Sequence, residues 1–232
     1  MTVMLRTESL TKTFTLHLRG GLRLPILSDI NLEVQKGECV VLSGPSGVGK
    51  TTLLRSLYGN YRAESGKILV RHRGEMIDIA SADPRTVLAV RRETVGYVSQ
   101  FLRVVPRVSA LDVVAEALLA CGVTQVTAQD KARALLAQLN IPPRMHVVPP
   151  STFSGGEQQR VNLARGLIGH HPILLLDEPT ASLDPESSAI VTGMVRDAKA
   201  RGTAIVAICH DVGFREAAAD RLFTLAPSQD DG

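Results

Sequence analysis

Tryptophan is absent, and aromatic side chains make up only 3% of the 232 residues. That leaves little material for a platform on which nucleic-acid bases could stack. Lysine and arginine outnumber aspartate and glutamate 26 to 23, a formal net charge of +3. So small an excess does not by itself point to nucleic acid or to an anionic membrane surface, and no nucleic-acid partner is expected. No stretch approaches the ~18 uninterrupted apolar residues of a membrane-spanning helix. The strongest apolar runs, 173–176 and 204–209, have the length of strands, so direct membrane insertion is not expected. Residues 1–10 include Arg6 and Glu8 and lack the apolar core of a secretory signal, which points to a cytoplasmic location. Cysteine is scarce as well. Cys39, Cys121 and Cys209 are odd in number and far apart, which suits three reduced, buried, small apolar side chains better than a disulfide framework or a zinc cluster.

What is present is ordinary for a folded protein: 44% hydrophobic and 21% charged residues, with no repeat and no low-complexity tract. At ~100–200 residues per domain, this length fits one domain, or one with a sizeable insertion. Strand-like segments at 5–10, 13–18 and 30–34 precede the apolar run 39–42, which reads as a buried strand and runs into a glycine-rich turn and a helix over 51–58. Segments 67–71 and 76–79 predict a hairpin turning at 72–75, and 95–99 predicts another strand. Two helical patterns follow without a strand between them, at 110–121 and 128–139. Residues 141–151 then hold Pro142, Pro143, Pro149 and Pro150 and read as an irregular linker. Helix at 157–168, buried strand at 173–176, helix at 185–201 and buried strand at 204–209 restore the alternation that marks a parallel sheet. The expected fold is α/β: a mixed or parallel core with an antiparallel β subdomain over about 1–99 and 152–232, and a helical subdomain with its proline-rich linker over about 100–151.

Gly44, Pro45, Ser46, Gly47, Val48, Gly49, Lys50 and Thr51 fit the phosphate-loop pattern of Gly, four residues, Gly, Lys and then Ser or Thr. Strand before it and helix after it are the context the motif requires. Glycines let backbone N–H groups converge on a β-phosphate, Lys50 can bridge β and γ oxygens, and the Thr51 hydroxyl can bind magnesium. Cleaving the triphosphate also needs an acid for the metal and a group that orients water. The apolar strand at 173–176 ends in Asp177 and Glu178, which supply these: Asp177 for the metal through water and Glu178 as general base. Ser154, Gly155, Gly156 and Glu157 open the next helix. Serine with glutamate three residues later is a capping box, while two adjacent glycines also let a phosphate approach the helix N-terminus. Both readings can hold together.

Residues 154–160, reading SGGEQQR, resemble the signature motif of ABC-type ATPases, placed between phosphate loop and metal-binding acid as in that family. The resemblance covers nearly the whole chain. It implies ATP and Mg2+ as ligands, with Thr52 beside Thr51 at the phosphates. Phe14 takes the place of the adenine-stacking aromatic, Gln100 that of the glutamine joining the metal site to the helical subdomain, and His210 that of the γ-phosphate sensor. Asp184 matches the loop that crosses between subunits. For these residues simpler roles also stand: Phe14 and His210 as core side chains, and Asp184 as an N-cap before Pro185. The family further implies an ATP-dependent head-to-tail homodimer, or a heterodimer with a related ABC subunit. In it each ATP lies between Lys50, Asp177 and Glu178 of one subunit and the 154–156 segment of the other.

Segments partly outside the shared motifs, 23–27, 53–58, 100–111 and 150–156, resemble the PhnL-type ATP-binding subunits of the bacterial carbon–phosphorus lyase system. This implies carbon–phosphorus lyase core subunits as partners, and support of the step that forms ribose 1-phosphonate 5-triphosphate. No nucleosidase-like site stands out, so the expected contribution is ATP-driven conformational work. The second reading is the ATPase of a lipoprotein-release or macrolide-export transporter, docking its permease through 101–114. A clamp that closes without hydrolysis is a third, opposed by the presence of Glu178 and His210.

Overall fold

The computed structural model describes residues 2–16, 21–100, 102 and 106–227. Two five-stranded sheets carry the fold. The first is antiparallel, in the order β2 (Leu22–Ile30), β1 (Val3–Leu16), β5 (Ser65–His72), β6 (Glu75–Asp78), with β3 (Glu33–Gln35) also paired to β1. The second is parallel throughout, in the order β10 (Arg221–Thr224), β4 (Cys39–Ser43), β9 (Ala204–Ile208), β8 (Ile173–Asp177), β7 (Val95–Val98). Helices α1 (Lys50–Leu57), α2 (Pro84–Glu93), α6 (Gly155–Leu167), α7 (Pro185–Ala200) and α8 (Val212–Ala218) connect these strands, while α3 (Ala110–Leu119), α4 (Gln125–Gln138) and α5 (Pro143–His146) form a helical arm inserted between β7 and α6.

Strands β8 and β9 are buried at every position, as expected of parallel strands covered on both faces. Their side chains alternate between two cores, because successive Cβ atoms point to opposite faces. Leu174, Leu176, Ile205 and Ala207 join a core that runs out into the helical arm. Ile173, Leu175, Val206 and Ile208 join the core beneath the antiparallel sheet. The arm packs through small residues: Ala128, Ala132 and Leu136 recur on one face of α4, all buried to 0% exposure. Four-residue spacing puts them on a single stripe.

Several expectations need correcting. The first strand is continuous over Val3–Leu16, with register irregularities between Leu10 and Thr13, and part of the expected 13–18 strand lies outside the described residues. Strand 30–34 is in fact the end of β2 and the start of β3, and most of β2 was not foreseen. The hairpin turns on two residues, Arg73 (φ 51) and Gly74 (φ 92), while His72 and Glu75 are paired; two left-handed residues match the twist of the flanking strands. The proline-rich linker is partly helical, in α5 and in a 3-10 turn over Pro150–Thr152, since proline's fixed φ suits the first helical turn. Helix α2 has an audible start signal in Asp83-Pro84, whose carboxylate accepts from the Arg85 and Thr86 N–H groups. Of the cysteines, Cys39 and Cys209 are buried but Cys121 is exposed, so the third does not belong to the core. Burial pushes the Cys39 thiol up to about 12, which leaves it inert.

Helix α6 reaches β7 at Gly166, where an added Cβ would lie 2.3 Å from Val98 Cγ2. Gly166→Ala should therefore lower the unfolding free energy by about 1–3 kcal/mol of overpacking strain less the helix preference for alanine, and the urea midpoint with it; an unchanged or raised midpoint would show that this helix does not seat on β7 as described.

Candidate functional site

Strand β4 lies inside the parallel sheet, between β10 and β9, and delivers the chain to the loop 44–49 at its carboxyl end. The loop turns through left-handed backbone at Gly44 (φ 132), Gly47 (φ 81) and Gly49 (φ 103). Two of these are also steric necessities: a Cβ on Gly44 would lie 2.7 Å from the Leu225 carbonyl oxygen, and one on Gly49 would lie 2.9 Å from Ile26 Cγ2. Pro45, Ser46 and Gly47 are exposed at the crest, and Val48 is buried beneath it. The Lys50 ammonium folds back over the loop and donates to the carbonyl oxygens of Gly44 (2.8 Å) and Pro45 (2.9 Å).

Helix α1 starts without a side-chain cap and has no acidic residue in its first turn, whereas α2, α3, α6, α7 and α8 are all capped by Asp or Ser. Its first N–H groups and the helix dipole thus face the loop unneutralised, a setting that favours an anion. Thr51 and Thr52 are half-buried on its first turn.

The end of β8 brings two acids to the same place. Asp177 is 2% exposed; its Oδ1 lies 3.5 Å from Thr51 Oγ1, and its Oδ2 accepts from the Tyr97 hydroxyl at 3.3 Å. Burial holds the Asp177 carboxyl above the usual carboxylate range, opposed by the hydrogen bond from Tyr97 and by the Arg55 charge. Among the described residues no three His, Cys, Asp or Glu side chains cluster to hold a metal ion by themselves. Thr51 and Asp177 together fit a hard divalent cation such as Mg2+, which keeps water and phosphate oxygens among its ligands. Glu178 stands in left-handed backbone (φ 53), fixed by its N–H to the Ile208 carbonyl (2.9 Å) and by its own carbonyl, which accepts from Gln159 Nε2 (3.3 Å). Its carboxylate Oε1 lies 3.2 Å from His210 Nε2. Burial raises the Glu178 carboxyl, and His210 opposes that rise. The His210 side chain is 75% exposed, so it is not a core histidine.

The 154–157 segment is a complete capping box: Ser154 Oγ accepts from the Glu157 N–H, and Glu157 Oε2 accepts from the Ser154 N–H at 2.8 Å. The two glycines differ. A Cβ on Gly155 would meet nothing within 4 Å, whereas one on Gly156 would lie 2.9 Å from the Ser182 carbonyl oxygen. Gly156 is thus required by the loop that crosses over it, while Gly155 faces open space. Asp184 caps α7, accepting from the Ser187 N–H (2.8 Å), and Arg160 of α6 lies 3.5 Å from its Oδ2, bracing the signature helix against that loop.

Gln100 is exposed and lines a groove of about 800 Å³ between α2 and β7 on one side and α3 and α6 on the other. Phe14, half-buried on β1, meets Tyr61 edge-on at 5.2 Å and carries Lys12 Nζ 4.9 Å from its ring centre. The structure therefore brings Thr51 to Asp177 and His210 to Glu178 at the end of β8, with Lys50 on the phosphate loop; Ser154 to Glu157 and Asp184 stand at the neighbouring starts of α6 and α7, Gln100 borders the groove, and Phe14 packs on Tyr61. Sequence reasoning missed Tyr97 and Gln159. Tyr97 carries no signal of its own in the sequence: only the pairing of β7 with β8, which sets Tyr97 opposite Leu175, puts it on the face that Asp177 shares.

A family model described as ABC transporter matches residues 27–181. The chain is 37% identical over 206 residues to the lipoprotein-releasing system ATP-binding protein LolD of Maricaulis maris, covering 88% of this chain and 86% of that protein. It is 37% identical to the glutamine transport ATP-binding protein GlnQ of Escherichia coli (85% and 80% covered). It is 32% identical to the macrolide export ATP-binding/permease protein MacB of Salmonella choleraesuis, covering 91% of this chain but 31% of that larger protein. Among solved structures, the dimeric post-hydrolysis state of the ATP-binding cassette MJ0796 bound to ADP and Pi superposes with a TM-score of 0.86 at 26% identity, over 96% of this chain and 94% of that one.

The glycine pair makes a direct check. Gly155→Ala should leave the urea midpoint unchanged or slightly raised, since alanine reduces unfolded-state entropy at no steric cost, while Gly156→Ala should lower it; equal effects would contradict the open position of Gly155.

Proposed function

We propose that this chain, which belongs to the ABC transporter family, is an ATP-binding and ATP-hydrolysing subunit that works as one half of a head-to-tail dimer and drives a partner protein by closing and opening. The observation that carries the reading is the convergence of Lys50, Thr51, Asp177 and Glu178 on the uncapped start of α1. Lys50 and the loop N–H groups receive the triphosphate: the ammonium now held by two loop carbonyls exchanges them for phosphate oxygens. Thr51 and Asp177 would hold Mg2+, which would supply charge neutralisation at those oxygens. Glu178 accepts a proton from the attacking water as its oxygen bonds to the γ-phosphorus and the bridging P–O bond to ADP breaks. His210, exposed and within 3.2 Å of that carboxylate, holds it in place and reaches toward the γ-phosphate side. Phe14 offers a ring edge-packed on Tyr61 as a wall for adenine. The open Gly155, the free face of the 154–157 helix start and the Asp184 loop fit contact with ATP across a dimer, which is how the dimeric relative bound to ADP and Pi supports the reading.

For the partner, we read the chain as a PhnL-type subunit of the carbon–phosphorus lyase system, coupling ATP to core subunits in the ribose 1-phosphonate 5-triphosphate synthase step. What supports this is the resemblance over 23–27, 53–58, 100–111 and 150–156; Phe101, Arg103, Val104 and Val105 of the third segment lie outside the described residues. The second reading, the motor of a lipoprotein-release or macrolide-export transporter, is favoured by a specific observation: the relatives named above are transporter ATPases, and these comparisons weigh toward it more than toward the lyase. In either case, the groove bordered by Gln100 is the docking place. Among the described residues that line it, Arg55, Arg91, Arg92 and Arg165 face one acid, Glu116, which pairs with Arg165 while Arg92 pairs with Glu93, so it suits a segment that carries carboxylates. No helix among the described residues is long and apolar enough to cross a membrane.

Two outcomes are expected. Glu178→Gln should keep ATP affinity and lower turnover roughly 100-fold or more, the usual worth of a general base, with the wild-type acid limb lying above the ordinary glutamate value of about 4.3 because burial raises this carboxyl; undiminished single-turnover hydrolysis would remove Glu178 from the role. Affinity purification of the tagged chain from cells grown on a phosphonate as sole phosphorus source, in mild detergent, should recover carbon–phosphorus lyase subunits. Recovery of a polytopic membrane protein in their place would establish the transporter reading instead.

A further inference from the structure

All three tyrosines of this chain, Tyr58, Tyr61 and Tyr97, line the single groove that Gln100 borders. Tyr58 and Tyr97 stack with ring centres 5.0 Å apart at 29°, close to the offset geometry that aromatic pairs prefer. Arg91 lies 4.7 Å from the centre of the Tyr58 ring and donates from Nε to the Tyr58 carbonyl at 2.9 Å. Arg55 donates to the Tyr61 hydroxyl at 3.0 Å and also bonds Tyr97. The cluster is therefore a braced aromatic wall, and one member reaches through it: the Tyr97 hydroxyl leaves the groove and meets Asp177 Oδ2 at 3.3 Å. The other oxygen of that carboxylate faces Thr51 of the phosphate-loop helix. One buried acid thus has one oxygen addressed from the nucleotide side and one from the groove side.

We propose that Tyr97 is a positioning residue that links the metal-holding carboxylate to the groove, so that an occupant of the groove and a nucleotide at Asp177 act on one another through a single phenol. The inference rests on the reading of Asp177 as the metal-holding acid. A phenol is rigid: its oxygen moves with its ring. A displacement of the ring by about 1 Å is enough to break a hydrogen bond that already sits near the long end of the useful range. Because Asp177 is 2% exposed, water does not replace a donor lost there, and an unpartnered buried acceptor is costly. The linkage is reciprocal by thermodynamic necessity: a segment that presses on the Tyr58–Tyr97 stack changes how Asp177 is held, and binding at Asp177 shifts the stack. Gln100 borders the same groove, but the contact from this wall to the acid is made by Tyr97.

The absence of tryptophan supplies the test. Tyrosine emission from the purified chain reports on this groove alone, and hydrogen bonding of a phenol to a carboxylate quenches it. Titrating the full chain with ATP in the presence of Mg2+ should change that emission. In Tyr97→Phe, calorimetry should still detect ATP binding, the emission change should shrink, and the Mg2+ concentration for half-maximal nucleotide binding should rise several-fold. Leu88→Ala, which alters an exposed side chain of the same groove and leaves all three tyrosines in place, should keep both the emission change and the Mg2+ dependence. A Mg2+ dependence that is unchanged in Tyr97→Phe, or a wild-type chain that binds ATP with no change in emission, would overturn the link. A wild-type chain that binds no ATP by calorimetry would overturn the nucleotide-site reading, and the link with it.

Discussion

Everything at the candidate site depends on how the chain leaves β4. The strand is locked inside a parallel sheet, so its end cannot drift, and the next residues must turn sharply without side chains. Gly44 has 2.7 Å between its missing Cβ and a backbone carbonyl, and Gly49 is wedged against Ile26. Neither neighbour can give way cheaply, because one is backbone and the other belongs to the antiparallel sheet. The turn is thereby held in left-handed backbone, and α1 begins with its N–H groups aimed into the loop. Lys50 completes the arrangement by satisfying two loop carbonyls with its own ammonium. A loop whose carbonyls hold its own lysine in this way stands ready to exchange them for phosphate oxygens with little rearrangement of backbone.

The acids facing that loop are held at a cost. Asp177 and Glu178 are both raised by burial, the direction that desolvation imposes on a carboxylate. Thr51, Tyr97 and Arg55 offset the penalty at Asp177, and His210 does so at Glu178. Glu178 also occupies left-handed backbone, a conformation that persists in a non-glycine residue only when its surroundings over-determine it. Here the Ile208 carbonyl and Gln159 do so. The elements that pay nothing toward this chain's own packing are on the other side: exposed Gly155 and the open helix start behind the capping box. They make sense as the complementary half of a site built on a second subunit.

Much of this was legible in the residues. The phosphate loop announces itself because its spacing is fixed by backbone geometry, and β8 and β9 because parallel strands buried on both faces need unbroken apolar runs. Helix α6 was readable from its serine, two glycines and glutamate. What was not legible has physical reasons. Helix α2 is short and half-exposed, with only Val90 buried, so its apolar period is weak and only Asp83-Pro84 marks it. The prolines at 142–150 suggested irregular chain, yet proline at a first helical position continues into α5 without strain. Cys121 looked like core by composition alone, and composition does not place a residue at a helix end. Tyr97 was silent because its importance comes from pairing between strands far apart in the chain.

The central claim is that one chain holds half of a site and its partner the other half. Mixing two inactive variants tests it most directly. Lys50→Ala lacks the phosphate-binding ammonium but keeps the 154–157 segment; Ser154→Arg keeps Lys50 but blocks that segment. Each alone should hydrolyse ATP at a small fraction of the wild-type rate. In the mixed dimer one interface unites the intact Lys50 of one chain with the intact Ser154 of the other, so activity should reappear on mixing. A mixture no more active than the sum of its parts, with mixed dimers demonstrated, would contradict the account and place the whole reaction within a single chain.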